Sequence, residues 1–196
     1  MIPAFNLSGV LPPFDAVLGP AAAGSMSPYD ASMSEFAAQF ATSDARVDLL
    51  QGLLEYRVRL RNEGITEGFQ WIDGSFVENV EETRDRPPSD IDLVTFAYRP
   101  NDLAEQPTWE GFVDAHPELF DQDESKEQFD CHAFFVDLSL SAEYAVDVGT
   151  YWFGLFSHQR ETFLWKGLIR IPLDSDDEIV LGALALGAGG DDVEEA

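Results

Sequence analysis

Apolar residues recur at two different spacings along this chain, and the change from one to the other lays out its elements. Between 44 and 62, Val47, Leu50, Leu54 and Val58 return every three or four positions, which is the spacing of one helix face. Ser43 or Asp44 opens that helix and Gly64 suits its stop. A shorter helix running through Phe40 is predicted by Ser32-x-x-Glu35, the pattern of a capping box. The period then shortens to two. Phe69 to Ile72 reads as an apolar strand, followed by Gly74-Ser75 and a polar loop. A second strand carries Asp90 and Asp92, with Val94 and Phe96 on their face and Ile91, Leu93 and Thr95 on the other. The aromatic-rich run Phe129 to Leu138 predicts a third strand, and Trp165 to Leu173 a last one with Pro172 near its end. Between them the pattern predicts a short helix on Trp109, Phe112 and Val113, limited by Pro117. A charged linker follows over Asp121 to Glu127, and a further helix over 141–158 uses Tyr144, Val148, Tyr151 and Phe156.

The ends differ from the middle. Residues 1–28 are rich in Pro, Gly and Ala and read as an extended arm over the core, anchored by Phe5, Leu11 and Phe14. From Asp174 the chain is acidic and small-residue-rich, with one helix expected over 179–186 and disorder from Gly187 to Ala196. This leaves 29–173 as one domain and 174–196 as an acidic tail, and a chain of 196 residues supplies one sizeable core. Strands interspersed with helices give an α/β class: a small mixed β-sheet with packed helices, backed by the 44–62 helix.

Charge narrows the function. The net charge is −26, with 37 acids and with lysine only at Lys126 and Lys166. Such a surface repels duplex DNA and anionic membranes and lacks the basic patch of a duplex binder. No apolar run approaches the ~18 residues of a membrane span, and the first residues lack a secretory signal pattern. The single cysteine, Cys131, cannot form an internal disulfide, which fits a reducing cytoplasm. Carboxylate-rich surfaces stay hydrated in concentrated salt, so the composition predicts a halophilic protein. At about 1 M salt the Debye length is roughly 3 Å, and distant acid hardly repels an incoming phosphate. One Cys and three His, none at ligand spacing, give no zinc site. Cys131 lies mid-strand, a poor position for a reactive thiol.

The candidate chemistry is at Asp90 and Asp92. Asp-x-Asp also occurs at Asp121/Asp123 and Asp174/Asp176, but in polar stretches where both acids are solvated. Only Asp90 and Asp92 stand in an apolar strand after a strand that ends in Gly-Ser. Two carboxylates side by side repel unless a cation sits between them. A Mg²⁺ ion (or Mn²⁺) does this with a couple of carboxylates, completing its shell with water and substrate phosphates.

Gly74-Ser75, a loop, and then Asp90-Ile91-Asp92-Leu93-Val94 resembles the signature of the polymerase-beta-type nucleotidyltransferase superfamily. The loop is slightly longer than is usual there, and the excess in EETRDRPP reads as a surface insertion. The chain is similar, over residues 1 to about 173, to a set of small nucleotidyltransferase-like microbial proteins that begin like Met1-Ile2-Pro3-Ala4-Phe5. They carry a turn like Leu11-Pro12-Pro13 and a stretch like Asp73-Gly74-Ser75-Phe76-Val77. The resemblance implies a nucleotidyltransferase-type fold. It also implies transfer of an NMP from a nucleoside triphosphate to an acceptor hydroxyl, with pyrophosphate released. Asp90 and Asp92 would hold Mg²⁺, and Gly74 and Ser75 would position the phosphates. A third carboxylate from a neighbouring strand completes a two-ion site in that superfamily. Asp130 matches its pattern better, and Asp137 is the alternative. The acceptor stays open among protein, RNA end and small molecule. The rival class is a catalytically silent binding module, such as one half of a toxin–antitoxin or defence pair. Structural metal binding is a third.

Other residues carry weaker readings. His132 shares the Asp130 face and could touch substrate or metal, although a strand histidine is more often a hydrogen-bonded core or edge residue. Arg160 and Lys166 could meet a triphosphate, against ion pairing with surface acid. Arg57, Arg59 and Arg61 suit the C-terminal dipole of the 44–62 helix.

Overall fold

The computed structural model describes residues 2–160 and 162–188. Five strands make one mixed sheet: β1 (Tyr29–Asp30), β2 (Gly68–Asp73), β3 (Ile91–Ala97), β4 (Cys131–Asp137) and β5 (Ile169–Pro172), in the order β1-β5-β2-β3-β4. β2 runs antiparallel to both β3 and β5, while β3 and β4 are parallel, as are β1 and β5. The expected α/β class with a small mixed sheet is thus observed. The two sheet faces follow the period-two pattern. Ile72, Ile91, Leu93, Cys131, Ile169 and Ile171 face one core. That core is covered by α1 (Met33–Phe40), α2 (Asp44–Asn62) and helices described below. Val94, Phe96 and Val136 face the other way, against Trp152 and Phe156 of a helix over Ala142–Phe156.

Helix α1 starts at the Ser32/Glu35 capping box read from the sequence, and α2 has the predicted 44–62 bounds. After β2, residues 75–77 form a 3-10 turn and α3 (Val80–Arg84) fills part of the segment expected to be a surface insertion. The linker expected over 121–127 is helical instead. After α4 (Gln106–Ala115) and α5 (Pro117–Phe120) comes α6 (Gln122–Phe129), because Asp121 caps it by accepting the N–H groups of Asp123 and Glu124. Pro117 both closes α4 and occupies the first position of α5, where its missing N–H costs nothing. α6 lies close on α2: a Cβ on Gly52 would meet the Phe129 carbonyl at 2.1 Å. The helix over Ala142–Phe156 is α7, capped by Ser141.

The N-terminal arm is held at the expected anchors. Leu11 is fully buried, Phe5 packs on the main core, and Phe14 meets Trp165 edge-on. The last helix, α8 (Asp177–Ala188), is longer than the 179–186 expected, and residues 189–196 of the expected disordered tail lie outside the described residues. Asp177 keys α8 into the core. Its carboxylate accepts Arg57 Nε at 2.8 Å and Nη2 at 3.0 Å, while Arg57 Nη1 donates to Gln70 and Nη2 to the Pro172 carbonyl. Arg57 therefore does more than complement a helix dipole; it is a buried tie between α2, β2, β5 and α8. Among the described residues no helix is long and apolar enough to cross a membrane.

Candidate functional site

A cleft of about 260 Å³ opens at one end of the sheet, where β2 finishes and β3 begins. Its wall includes Asp73, Gly74, Ser75, Asp90, Asp92 and Lys166, so the structure brings together all of the expected site residues except Asp130. The register explains the meeting. Asp73 is paired with Asp92 across β2 and β3, and Asp92 with His132 across β3 and β4. All three belong to the row on the α7 side of the sheet.

Gly74 fits this point for two reasons. Its φ of 76° lies in the left-handed region that side chains disfavour. A Cβ built there would also stand 2.0 Å from Asp92 Oδ2. The turn after it is fastened from behind. Buried Arg46, in the first turn of α2, donates to the carbonyls of Phe76 at 2.6 Å and Glu78 at 2.7 Å, and its Nε pairs with Glu81. The Gly-Ser turn is thus rigid backbone presented to the cleft.

The two acids have different surroundings. Asp90, one residue before β3, accepts a hydrogen bond from Ser89 Oγ and holds Lys126 Nζ at 2.5 Å. Asp92 Oδ1 lies 3.2 Å from His132 Nδ1. Asp90 and its neighbour Asp92 hold the Lys126 ammonium in its charged form and push its pKa up. A cation already stands at this acid pair, and it is protein.

For Lys166 the structure shows the ion-pairing alternative, with buried rather than surface acid. Lys166 is 3 % exposed and sits between two buried carboxylates, with Nζ 3.0 Å from Asp73 Oδ1 and 2.6 Å from Glu78 Oε1. Burial pulls its pKa down, but the two acids outweigh that and raise it. Its charge is balanced inside the protein, so it lines the cleft without being free to meet a ligand. Asp73 Oδ1 is buried, and among the described residues no donor besides Lys166 Nζ meets it. Burial raises the Asp73 pKa to about 7, opposed by Lys166 and the Gly74 N–H and assisted by the Asp92 charge. Glu78 uses its second oxygen too: Oε2 accepts Arg84 Nη2 at 3.1 Å and Gln159 Nε2 at 2.8 Å.

Asp130 is not in the cleft. α6 continues through Phe129, and Asp130 is its left-handed cap, with φ 54°, rather than the first residue of the strand. Its carbonyl accepts the Ile91 N–H. It is exposed and lines a separate groove with Asp48, Gln51, Gly52 and Glu55 on the α2 side. Asp137 is no substitute. It closes the far end of β4, where Arg99 Nε donates to it at 2.6 Å. The position beside Asp92 on β4 belongs to His132. Neither alternative for the third carboxylate therefore reaches Asp90 and Asp92.

This decides how a metal fits. Among the described residues, no three His, Cys, Asp or Glu side chains converge as a metal-holding group. The donor chemistry of Asp90 and Asp92 fits one Mg²⁺ or Mn²⁺ ion that keeps water and substrate oxygens in its shell. Neither Asp130 nor Asp137 stands beside these two acids as a third carboxylate of a two-ion site.

Several wall residues escaped the sequence reading. Asp73, Glu78, Arg84, Arg86 and Gln159 line the cleft with His158 and Arg160. Asp73 had a signal, an acid closing an apolar strand directly before Gly-Ser. Arg86 had none, because its segment reads as a solvated loop.

The family comparison now has a structure to rest on. The chain belongs to a family of unknown function (DUF6932), whose profile matches residues 3–172. The matched span includes the arm, all five strands and every cleft residue, and stops before α8. No curated protein and no solved structure matches the chain.

Proposed function

We propose that the cleft is the donor site of a metal-dependent nucleotidyltransferase of the polymerase-beta type. The observation that carries this reading is that Gly74, Ser75, Asp90 and Asp92 line one cleft, with the Asp92 carboxylate seated where a side chain on Gly74 would stand. Backbone N–H groups at such a turn and the Ser75 hydroxyl suit phosphate oxygens. Asp90 and Asp92 would hold a Mg²⁺ or Mn²⁺ ion. Bound there, the ion neutralises charge on the phosphates and on the departing pyrophosphate. In the reaction, an acceptor oxygen forms a bond to the α-phosphorus while the bond from that phosphorus to the bridging oxygen breaks. The acceptor's hydroxyl proton passes to water or to the departing pyrophosphate, which leaves with the electron pair of the broken bond. The acceptor class is not specified by the cleft. A cytoplasmic, high-salt setting belongs to the same proposal, since dense surface acid tolerates a polyanionic substrate best where salt screens it.

The test is thermal unfolding in molar KCl with Mg²⁺ or Mn²⁺ and each of the four NTPs, for wild type and Asp92→Ala. A ligand at 100 times its dissociation constant adds about 2.7 kcal/mol. A metal-dependent rise in midpoint with an NTP, absent in Asp92→Ala, is expected. No response to any NTP in a well-folded protein sinks the reading.

One observation favours a second reading, a catalytically silent module that docks a protein partner. One side of α7 exposes Tyr144, Tyr151 and Leu155 at 37, 62 and 36 %, with Leu155 also at the cleft wall, and the helix carries no Lys or Arg. Exposed apolar patches on otherwise charged proteins mark interaction surfaces. A toxin–antitoxin or defence pair is one setting for such a module.

A further inference from the structure

We propose that Arg86 and Arg160 are the two arms of an oligophosphate-binding site in the Asp90–Asp92 cleft. The argument starts from a census of positive charge. The chain has 11 lysines and arginines. Among the described residues, each one except Arg86 and Arg160 lies within ion-pairing distance of a carboxylate. In a chain with 37 acids, an arginine that meets none among the described residues is unexpected. Both exceptions line the same cleft. They come from segments far apart in sequence, Arg86 from the run between α3 and β3 and Arg160 from the run between α7 and β5. The contact of Arg86 with the Pro87 carbonyl neutralises nothing.

The wall acids do not answer these two charges. Asp73 and Glu78 face Lys166, Glu78 also faces Arg84, and Asp90 faces Lys126. Asp92 faces His132. The contact of Asp92 with His132 is an ion pair only if the imidazole is protonated, and Arg86 and Arg160 are the guanidinium groups of the cleft that no carboxylate among the described residues answers. A guanidinium stays charged at physiological pH and offers a planar fork of donors that matches phosphate oxygens. Two such forks on separate segments suit an anion with more than one phosphate. The choice of an oligophosphate over another dianion rests on the reading of the cleft proposed above. The size agrees: at about 260 Å³ the cleft is below the roughly 300–1,000 Å³ of sites that engulf a whole ligand. It accepts a phosphate chain and leaves the rest of a larger molecule at its mouth.

Sodium tripolyphosphate without metal is the probe, titrated calorimetrically at the lowest KCl concentration that keeps the protein folded. The proteins are wild type, Arg86→Ala, Arg160→Ala and the double variant. Arg170→Ala removes a charge that pairs with Asp30 outside the cleft and controls for net charge. Both arms are exposed, so the variants keep their fold, as circular dichroism would verify. Each single variant is expected to weaken tripolyphosphate binding about tenfold, and the double variant about a hundredfold, as for loss of charge-assisted hydrogen bonds. Arg170→Ala leaves binding unchanged, and inorganic phosphate binds wild type more weakly than tripolyphosphate does. Equal binding by wild type and the double variant, or no tripolyphosphate binding by folded wild type, overturns the inference. NTP with Mg²⁺ separates this outcome from the fate of the nucleotidyltransferase reading. Metal-dependent NTP binding that is lost in Asp92→Ala but kept in the double arginine variant retains the function and removes the arms. Loss of tripolyphosphate binding in the double variant, with no metal-dependent NTP effect in wild type, retains the arms and removes the function.

Discussion

Asp73 illustrates how much a single buried carboxyl can do at the base of a site. It lies beside Asp92 and ends β2, and among the described residues one of its oxygens meets no donor besides Lys166. Burial first, and the Asp92 charge after it, hold its folded pKa near 7, whereas in the unfolded chain an aspartate titrates near 4. The sign follows from linkage. Below about pH 4 both states carry the proton and the contribution of Asp73 to stability is fully present. As pH rises from there through about 7, the unfolded chain gives up a proton that the folded protein retains, and the contribution is lost. Urea unfolding of wild type and Asp73→Asn in constant KCl isolates it. The stability of wild type relative to the variant is expected to fall between pH 4 and 7 and level off above; a pH-independent difference refutes the assignment. The residue scale was also where sequence reading reached furthest. Asp90, Asp92, Gly74 and Ser75 could be grouped from strand alternation and a turn alone. For Lys166 ion pairing could be anticipated, but not that its partners are the buried Asp73 and Glu78, which are distant in the chain and which nothing local announces.

At the scale of elements, the errors have one origin. The acids of 121–127 suggested a linker, but acids in a first helical turn complement the dipole and Asp121 supplies a cap. Once α6 is a helix that runs to Phe129, Asp130 belongs to its cap, and the strand starts at Cys131, two residues later than expected. The presence of His132 beside Asp92 then depends on the β3–β4 register, which no local pattern specifies. The α2–α8 junction is nonlocal in the same way. Arg57 and Asp177 are 1 and 0 % exposed, and Arg61 Nη1 adds a contact to Asp177 at 2.5 Å. Removing one partner of a buried ion pair strands the other, at a cost of about 3–5 kcal/mol. Asp177→Ala is expected to lose stability in that range by denaturant titration and to speed amide exchange in α8 before the sheet. A loss below about 1 kcal/mol, the level of an exposed pair, would show that the helix is held by apolar contacts alone.

For the whole molecule the governing quantity is charge. A net of −26 on one α/β domain means strong self-repulsion in dilute buffer. Three of the positive side chains, Arg46, Arg57 and Lys166, are spent on buried internal ties rather than on the surface. Salt must therefore stabilise the fold. The unfolding midpoint is expected to rise by several degrees or more between about 0.1 and 2 M KCl, since screening lengths shrink from ~10 Å to under ~3 Å. Scanning calorimetry across that series checks it, and a flat response contradicts the halophilic reading.

Glu78 has a consequence that extends past its own neighbours. One of its oxygens grips Arg84, two residues from Arg86, and also Gln159, one residue from Arg160. Neighbours of Arg86 and Arg160, the two guanidinium groups that meet no carboxylate among the described residues, are thus tied to a single carboxylate oxygen. Jaws mounted on one pin open to a set width, so the cleft is built as a calliper: it would grade anions by their length before it ever discriminated them by what they carry.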